Sequence, residues 1–165
     1  VKLYIMRHGA AEDQALSGRD DDRALTPSGR ENVADVARKL VELGEAPRLI
    51  VTSPLARALQ TAGVVAAVAQ SSGRRLEVVI DRDLAPGGSG VDRVTSLLAQ
   101  KEKHVMVVGH EPDLALLASL LVGEPLPVPL ERAMVVGLLV TTNGGAMRFI
   151  LDPKALTLSV DLRAR

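Results

Sequence analysis

The sequence predicts an α/β protein of three layers: a mainly parallel central sheet, helices on both faces, and a C-terminal antiparallel hairpin. Short apolar runs of strand length alternate with segments whose apolar residues recur at helical spacing, the pattern of strand–helix–strand units. Runs such as Leu49–Val51 and Met106–Val108 are apolar throughout, and strands covered on both faces need not alternate. Near the end, two further apolar runs flank Asn143-Gly144-Gly145, a hairpin signal.

Taken in order, Lys2–Met6 predicts the first strand. Glu12–Arg23 comes next as a polar segment with an acidic–basic cluster at Arg19–Arg23; such a segment is a solvated loop or a flap beside a site. A helix starts at Thr26-Pro27-Ser28-Gly29-Arg30-Glu31. Thr26 can cap it, Pro27 suits its first position, and Glu31 stands three residues after Ser28. Val33, Val36, Ala37, Leu40 and Val41 supply its apolar face, and Gly44 ends it. Leu49–Thr52 is the second strand, and Ser53-Pro54 opens a second helix running to about Gln70. Leu76–Ile80 is the third strand. Gly87-Gly88-Ser89-Gly90 is a flexible loop or linker feeding a helix over Val91–Gln100. His104–Val108 is the fourth strand, and His110-Glu111-Pro112-Asp113 leads into the apolar helix Leu114–Leu121. Beyond Pro125, Pro127 and Pro129, the hairpin strands are Ala133–Thr141 and Ala146–Leu151.

Composition narrows the function classes. A chain of 165 residues suits a single domain, 1–165, with a sizeable core. Twenty basic residues balance 20 acidic ones, so no global field gathers polyanions or membrane surfaces. Tyr4 and Phe149 are the only aromatic residues besides histidine, which removes stacking platforms for single-stranded nucleic acid. The absence of Cys excludes disulfides, thiolate catalysis and cysteine-based metal sites. No run approaches the ~20 apolar residues of a membrane span. The start reads as a strand rather than a signal peptide, so the expected setting is cytoplasmic.

In open α/β sheets, ligands sit beyond the carboxyl ends of the strands. The first strand delivers Arg7-His8-Gly9 there. The second delivers Thr52-Ser53-Pro54, with Arg57 one helical turn on, and the fourth delivers Gly109-His110-Glu111. If these strands are neighbours, His8, His110, Arg7 and Arg57 converge on one rim. The last two also feed helices whose N-terminal amides favour an anion. Together these groups describe a phosphate site. His104 begins its strand at the opposite end and reads as a surface residue. A metal site is disfavoured, because no cysteine or further histidine nearby completes a ligand set with His8 and His110 and the arginines repel a cation. The Gly87–Gly90 loop lacks the spacing of a dinucleotide fingerprint.

Arg7-His8-Gly9 at the end of a first strand, with Leu25-Thr26-Pro27-Ser28-Gly29 after it, resembles the histidine phosphatase superfamily. Ser53-Pro54-Leu55-Ala56-Arg57-Ala58-Leu59-Gln60-Thr61-Ala62 is similar to that family's second signature, and Val108-Gly109-His110 to its third. The short length and the Gly-His-Glu-Pro ending look most like the SixA-type phosphohistidine phosphatases. The motifs span nearly the whole chain in family order, and they imply a phosphoglycerate mutase-like fold.

By that resemblance His8 is the nucleophile and forms a phosphohistidine intermediate, while Arg7, Arg57 and His110, with Ser53 beside them, hold the phosphoryl oxygens. A neutral imidazole attacks without a separate base, and guanidinium forks suit the oxygens. Water completes the hydrolysis, so no metal or organic cofactor is implied. Glu111 is either the general acid or a complement to the helix dipole; Glu12 and Asp13 are poorer candidates for the acid. An imidazole leaves readily once protonated, so weak acid assistance favours a phosphohistidine-bearing protein as substrate. A small phosphate ester, such as a sugar phosphate, is the alternative within the enzyme class. A phosphate-binding interaction module without turnover is the alternative outside it.

Overall fold

The computed structural model describes residues 1–100 and 102–159. Residue 101 and residues 160–165 of the expected 1–165 domain lie outside the described residues. The elements in chain order are β1 (Lys2–Arg7), α1 (Pro27–Glu42), β2 (Leu49–Thr52), α2 (Ala56–Ser71), β3 (Glu77–Ile80) and α3 (Gly90–Leu98). Then come β4 (His104–Gly109), α4 (Asp113–Val122), β5 (Val135–Thr141), β6 (Gly144–Leu151) and β7 (Leu158–Ser159). They build a seven-stranded sheet in the order β3-β2-β4-β1-β5-β6-β7. The first four strands run parallel, and β5, β6 and β7 join antiparallel.

Alternation along the strands divides the core between two faces. Leu3 and Ile5 of β1, with Val105 and Val107 of β4, pack with Val94 and Leu97 of α3 and Leu114 and Leu117 of α4. Tyr4 and Met6, with Met106 and Val108, pack with Val33 and Val36 of α1 and Ala58 and Val65 of α2. The uninterrupted apolar runs thus arise because both faces are covered.

Local chemistry sets the ends. Thr26 caps α1, its Oγ1 accepting from the Gly29 N–H at 2.9 Å, with Pro27 in the first turn. Gly44 lies just after α1 at φ +72°, the left-handed conformation that closes a helix. The second helix starts later than Ser53-Pro54. Ala56 is its first residue, and the Ser53 hydroxyl stays outside, accepting from the Leu55 N–H at 3.2 Å. The hairpin turn is Thr142-Asn143 instead of the glycines, since Thr141 already pairs with Gly144. Strand β7 is an addition of two residues against β6. No helix among the described residues is long and apolar enough to cross a membrane.

Candidate active site

Strand order brings the predicted residues together. β4 lies between β2 and β1, with Arg7 opposite Gly109 and Thr52 opposite Val108. The residue after each strand therefore leaves the sheet on the same rim. The His8 N–H donates to Gly109 O at 3.1 Å and the Ser53 N–H to Val108 O at 3.0 Å, so the ladder continues one step past the strands. His104 lies at the other end, partly buried.

His8 is 8% exposed, and its Nδ1 lies 2.7 Å from Gly9 O. A carbonyl can only accept, so Nδ1 carries the proton and the lone pair of Nε2 is left free. Burial pushes the His8 pKa down to about 4; the hydrogen bond to Gly9 opposes this, and the Arg57, Arg7 and Arg132 charges add to it. The ring is neutral at neutral pH.

Gly9 is required by space. A Cβ there would lie 2.6 Å from Val33 Cγ2 and 3.2 Å from Gly29 O. Gly29 mirrors it, since its Cβ would meet Ala10 O at 2.2 Å. The turn after His8 presses against the first turn of α1, and both contacts need a missing side chain. Thr61 of α2 then locks the turn. Its Oγ1 accepts from the Gly9 N–H at 3.0 Å and donates to Arg57 O at 2.8 Å.

Arg57 is 5% exposed, and its guanidinium is held from outside by the 3-10 turn Asp20–Asp22. Nη1 donates to Asp20 O at 3.0 Å and Nη2 to Asp20 Oδ2 at 3.2 Å. Arg7 Nη1 donates to Leu130 O at 3.1 Å. His110 is 4% exposed, with Nε2 2.7 Å from Ser53 Oγ and its ring centroid 5.2 Å from that of His8. Its pKa is also pushed down to about 4, by burial first and then by His8 and Arg57. Arg7 Nε, Arg57 Nε and His110 Nδ1 are buried without a hydrogen-bond partner among the described residues. Buried polar atoms are ordinarily satisfied, and these three belong to residues gathered at the same ends of β1, β2 and β4. Oxygens of a bound oxyanion are the acceptors such atoms suit.

Glu111 stands just before α4. Its Oε1 accepts from the Ala115 N–H at 2.9 Å, so it does serve the start of α4. Burial nonetheless raises its pKa, with the Ala115 bond and Arg7 opposing. Glu12 and Asp13 are exposed. The Glu12–Arg23 segment is largely exposed and also contacts the site, through Asp20. Sequence reasoning did not single out Asp20, Thr61 or Arg132. Thr61 carried a signal, one turn beyond Arg57 on α2; Arg132 carried none. Among the described residues, no group of three or more His, Cys, Asp or Glu side chains is placed to hold a metal.

The model of the histidine phosphatase superfamily, branch 1, matches residues 3–86. The chain belongs to the histidine phosphatase superfamily. Histidine phosphatase membership supports phosphatase activity. The matched region includes Arg7, His8, Ser53 and Arg57, and the sheet brings His110 to them. An uncharacterized protein of Picosynechococcus sp. is 39% identical over 121 residues, 69% of this chain and 68% of that protein. The protein histidine phosphatase SixA, solved with tungstate, shares the fold at a TM-score of 0.84 and 22% identity, covering 95% of this chain and all of that one. The alpha-ribazole phosphatase of Shigella flexneri shares it at 0.71 and 18% identity, over 98% of this chain and all of that one.

Proposed function

We propose that this chain, as one domain over 1–165, hydrolyses phosphohistidine on proteins through a covalent phosphohistidine intermediate at His8. The observation that carries the reading is the neutral His8 ring. Nδ1 is committed to Gly9 O, and Nε2 is free among Arg7, Arg57 and His110. In the first step Nε2 attacks phosphorus and the bond to the leaving group breaks. In the second, water attacks the phosphohistidine, the P–N bond breaks, and inorganic phosphate is released.

Arg7 and Arg57 stabilise the charge on the transferring phosphoryl oxygens, with His110 and Ser53 completing the cradle. Preorganised donors of this kind supply most of the rate in phosphoryl transfer. Glu111 is the general acid in this scheme. With Oε1 accepting from Ala115, its other oxygen can carry the proton that a raised pKa favours. An imidazole leaving group needs that proton less than an alkoxide does. The SixA likeness supports a phosphoprotein substrate and a cytoplasmic setting. The alpha-ribazole phosphatase likeness supports small phosphate esters as the second reading.

The test is phosphate release from phosphohistidine-bearing proteins against a panel of small phosphate esters, with acid-labile label trapped on the protein. The expected outcome is preference for phosphohistidine, label on His8, and loss of both in His8→Ala. Hydrolysis by His8→Ala at the wild-type rate would remove the covalent mechanism, and preference for a small ester would replace the substrate.

A further inference from the structure

We infer that Arg132 is a specificity-determining residue that binds a second anionic group, a carboxylate close to the phosphoryl group of the substrate. The inference rests on the phosphatase reading and adds a property of the substrate to it. Residues 130–134 form a turn fastened to the end of β1. Arg7 Nη1 donates to Leu130 O, and the Ala133 N–H is shared between Arg7 O and His8 O, each at 3.1 Å. The Met134 N–H donates to Glu131 O at 3.1 Å, and the Arg7 N–H to Met134 O at 3.2 Å.

Ala133 is buried and holds φ at +63°, a conformation that is costly for a residue with a Cβ. Such strain persists where surroundings impose it and clusters at binding sites. Here it turns the chain so that Arg132 stands exposed directly before the buried Ala133. Arg132 has no hydrogen-bond or ion-pair partner among the described residues, and the exposed Glu131 beside it forms no ion pair with it. Its charge nevertheless reaches the site, disfavouring protonation of both His8 and Arg7.

The phosphoryl group already has Arg7 and Arg57. A further guanidinium on the rim serves whatever extends beyond that group, and its planar fork suits a carboxylate. Arg57 is already bonded to the acidic turn Asp20–Asp22, which disfavours an added negative charge beside it and favours one toward Arg132. That carboxylate can belong to an acidic residue flanking a phosphohistidine or to a small ester.

The experiment compares matched substrates on the wild type, Arg132→Ala and Arg132→Lys. One arm uses phosphohistidine peptides with Glu or Gln beside the phosphohistidine; the other uses 2-carboxyphenyl phosphate and phenyl phosphate. The wild type is expected to show a lower KM for the carboxylate-bearing member of at least one pair. Arg132→Ala is expected to shrink that KM ratio about two- to fivefold, the size of an exposed ion pair, and Arg132→Lys to restore part of it. The pair that responds identifies the source of the carboxylate. A ratio unchanged by Arg132→Ala in both arms overturns the inference. If the wild type turns over neither series, the phosphatase reading fails on its own. The same ratios taken from calorimetric binding of these four compounds then decide the role of Arg132.

Discussion

Gly9→Ala is the most direct test of how the fold aims His8. The new Cβ would lie 2.6 Å from Val33 Cγ2, 3.2 Å from Gly29 O and 3.3 Å from Leu25 Cδ2. Carbon atoms pack comfortably at about 3.5–4.0 Å, so the Val33 contact must open by roughly 1 Å. Val33 is fully buried in α1 and β-branched, so rotating it away is costly. Gly29 O is backbone and yields only if α1 moves. Overpacking of this kind costs about 1–3 kcal/mol. The displacement also reaches catalysis, because Gly9 O holds His8 Nδ1. A misplacement near 1 Å can lower turnover about 100-fold. Urea unfolding and kcat are the assays, with Val33→Ala as partner mutation, since it removes the clashing Cγ2. The Gly9→Ala/Val33→Ala double variant should be more stable than the sum of the single changes predicts. Unfolding of Gly9→Ala within about 0.5 kcal/mol of wild type, the range of an ordinary surface change, together with additivity in the double variant, would refute the close-approach reasoning.

The remaining predictions concern the charges of the site. Both His8 and His110 have folded pKa values depressed to about 4, so the unfolded chain binds the extra protons first. Their contribution to stability is complete above about pH 6.5 and is lost as pH falls toward about 4. NMR titration of the histidine C2–H signals should place both near pH 4, and titration at the ordinary value would contradict the burial described. Glu111→Gln should lower turnover more for phenyl phosphate, a poor leaving group, than for 4-nitrophenyl phosphate; equal losses would leave Glu111 only its bond to Ala115. Asp20→Ala removes the carboxylate from Arg57 and should tighten competitive inhibition by inorganic phosphate about two- to fivefold, whereas weaker inhibition would show that Asp20 organises Arg57 for phosphate.

Much of the fold was legible because buried parallel strands leave unbroken apolar runs, and the residues just past the end of each run are the ones that reach the rim. Leu3–Met6, Leu49–Val51 and Val105–Val108 pointed in this way to His8, Ser53 and His110. Their convergence still required β2, β4 and β1 to be neighbours, which no local pattern encodes. Strand β7 escaped because Leu158–Ser159 is too short to carry a period. The contacts that require glycine at position 9 were not legible in the sequence. Positive φ is a local property, whereas contact with Val33 and Gly29 depends on how α1 lies against the end of β1. Asp20 and Arg132 escaped for the same reason. Asp20 sits in a segment that reads as a solvated loop or a flap beside a site, Arg132 in a stretch with no motif, and each acquires meaning only from the tertiary position of its backbone.

Helix α2 explains why these separate loops behave as one site. Arg57 and Thr61 stand one turn apart on its inward face, so both project toward the strand ends. Thr61 grips the Gly9 N–H while donating to the Arg57 carbonyl, so the turn that holds His8 Nδ1 and the residue that carries the Arg57 guanidinium share a support. From the other side, the Asp20 carboxylate and carbonyl occupy both terminal nitrogens of the Arg57 guanidinium. A substrate phosphoryl group reaching Arg57 must therefore compete with that turn. Asp20 is largely exposed while Arg57 is buried, so a ligand competing for Arg57 gains most when Arg7 and His110 also contact it. Under the proposed mechanism the turn thus favours ligands that engage several donors at once.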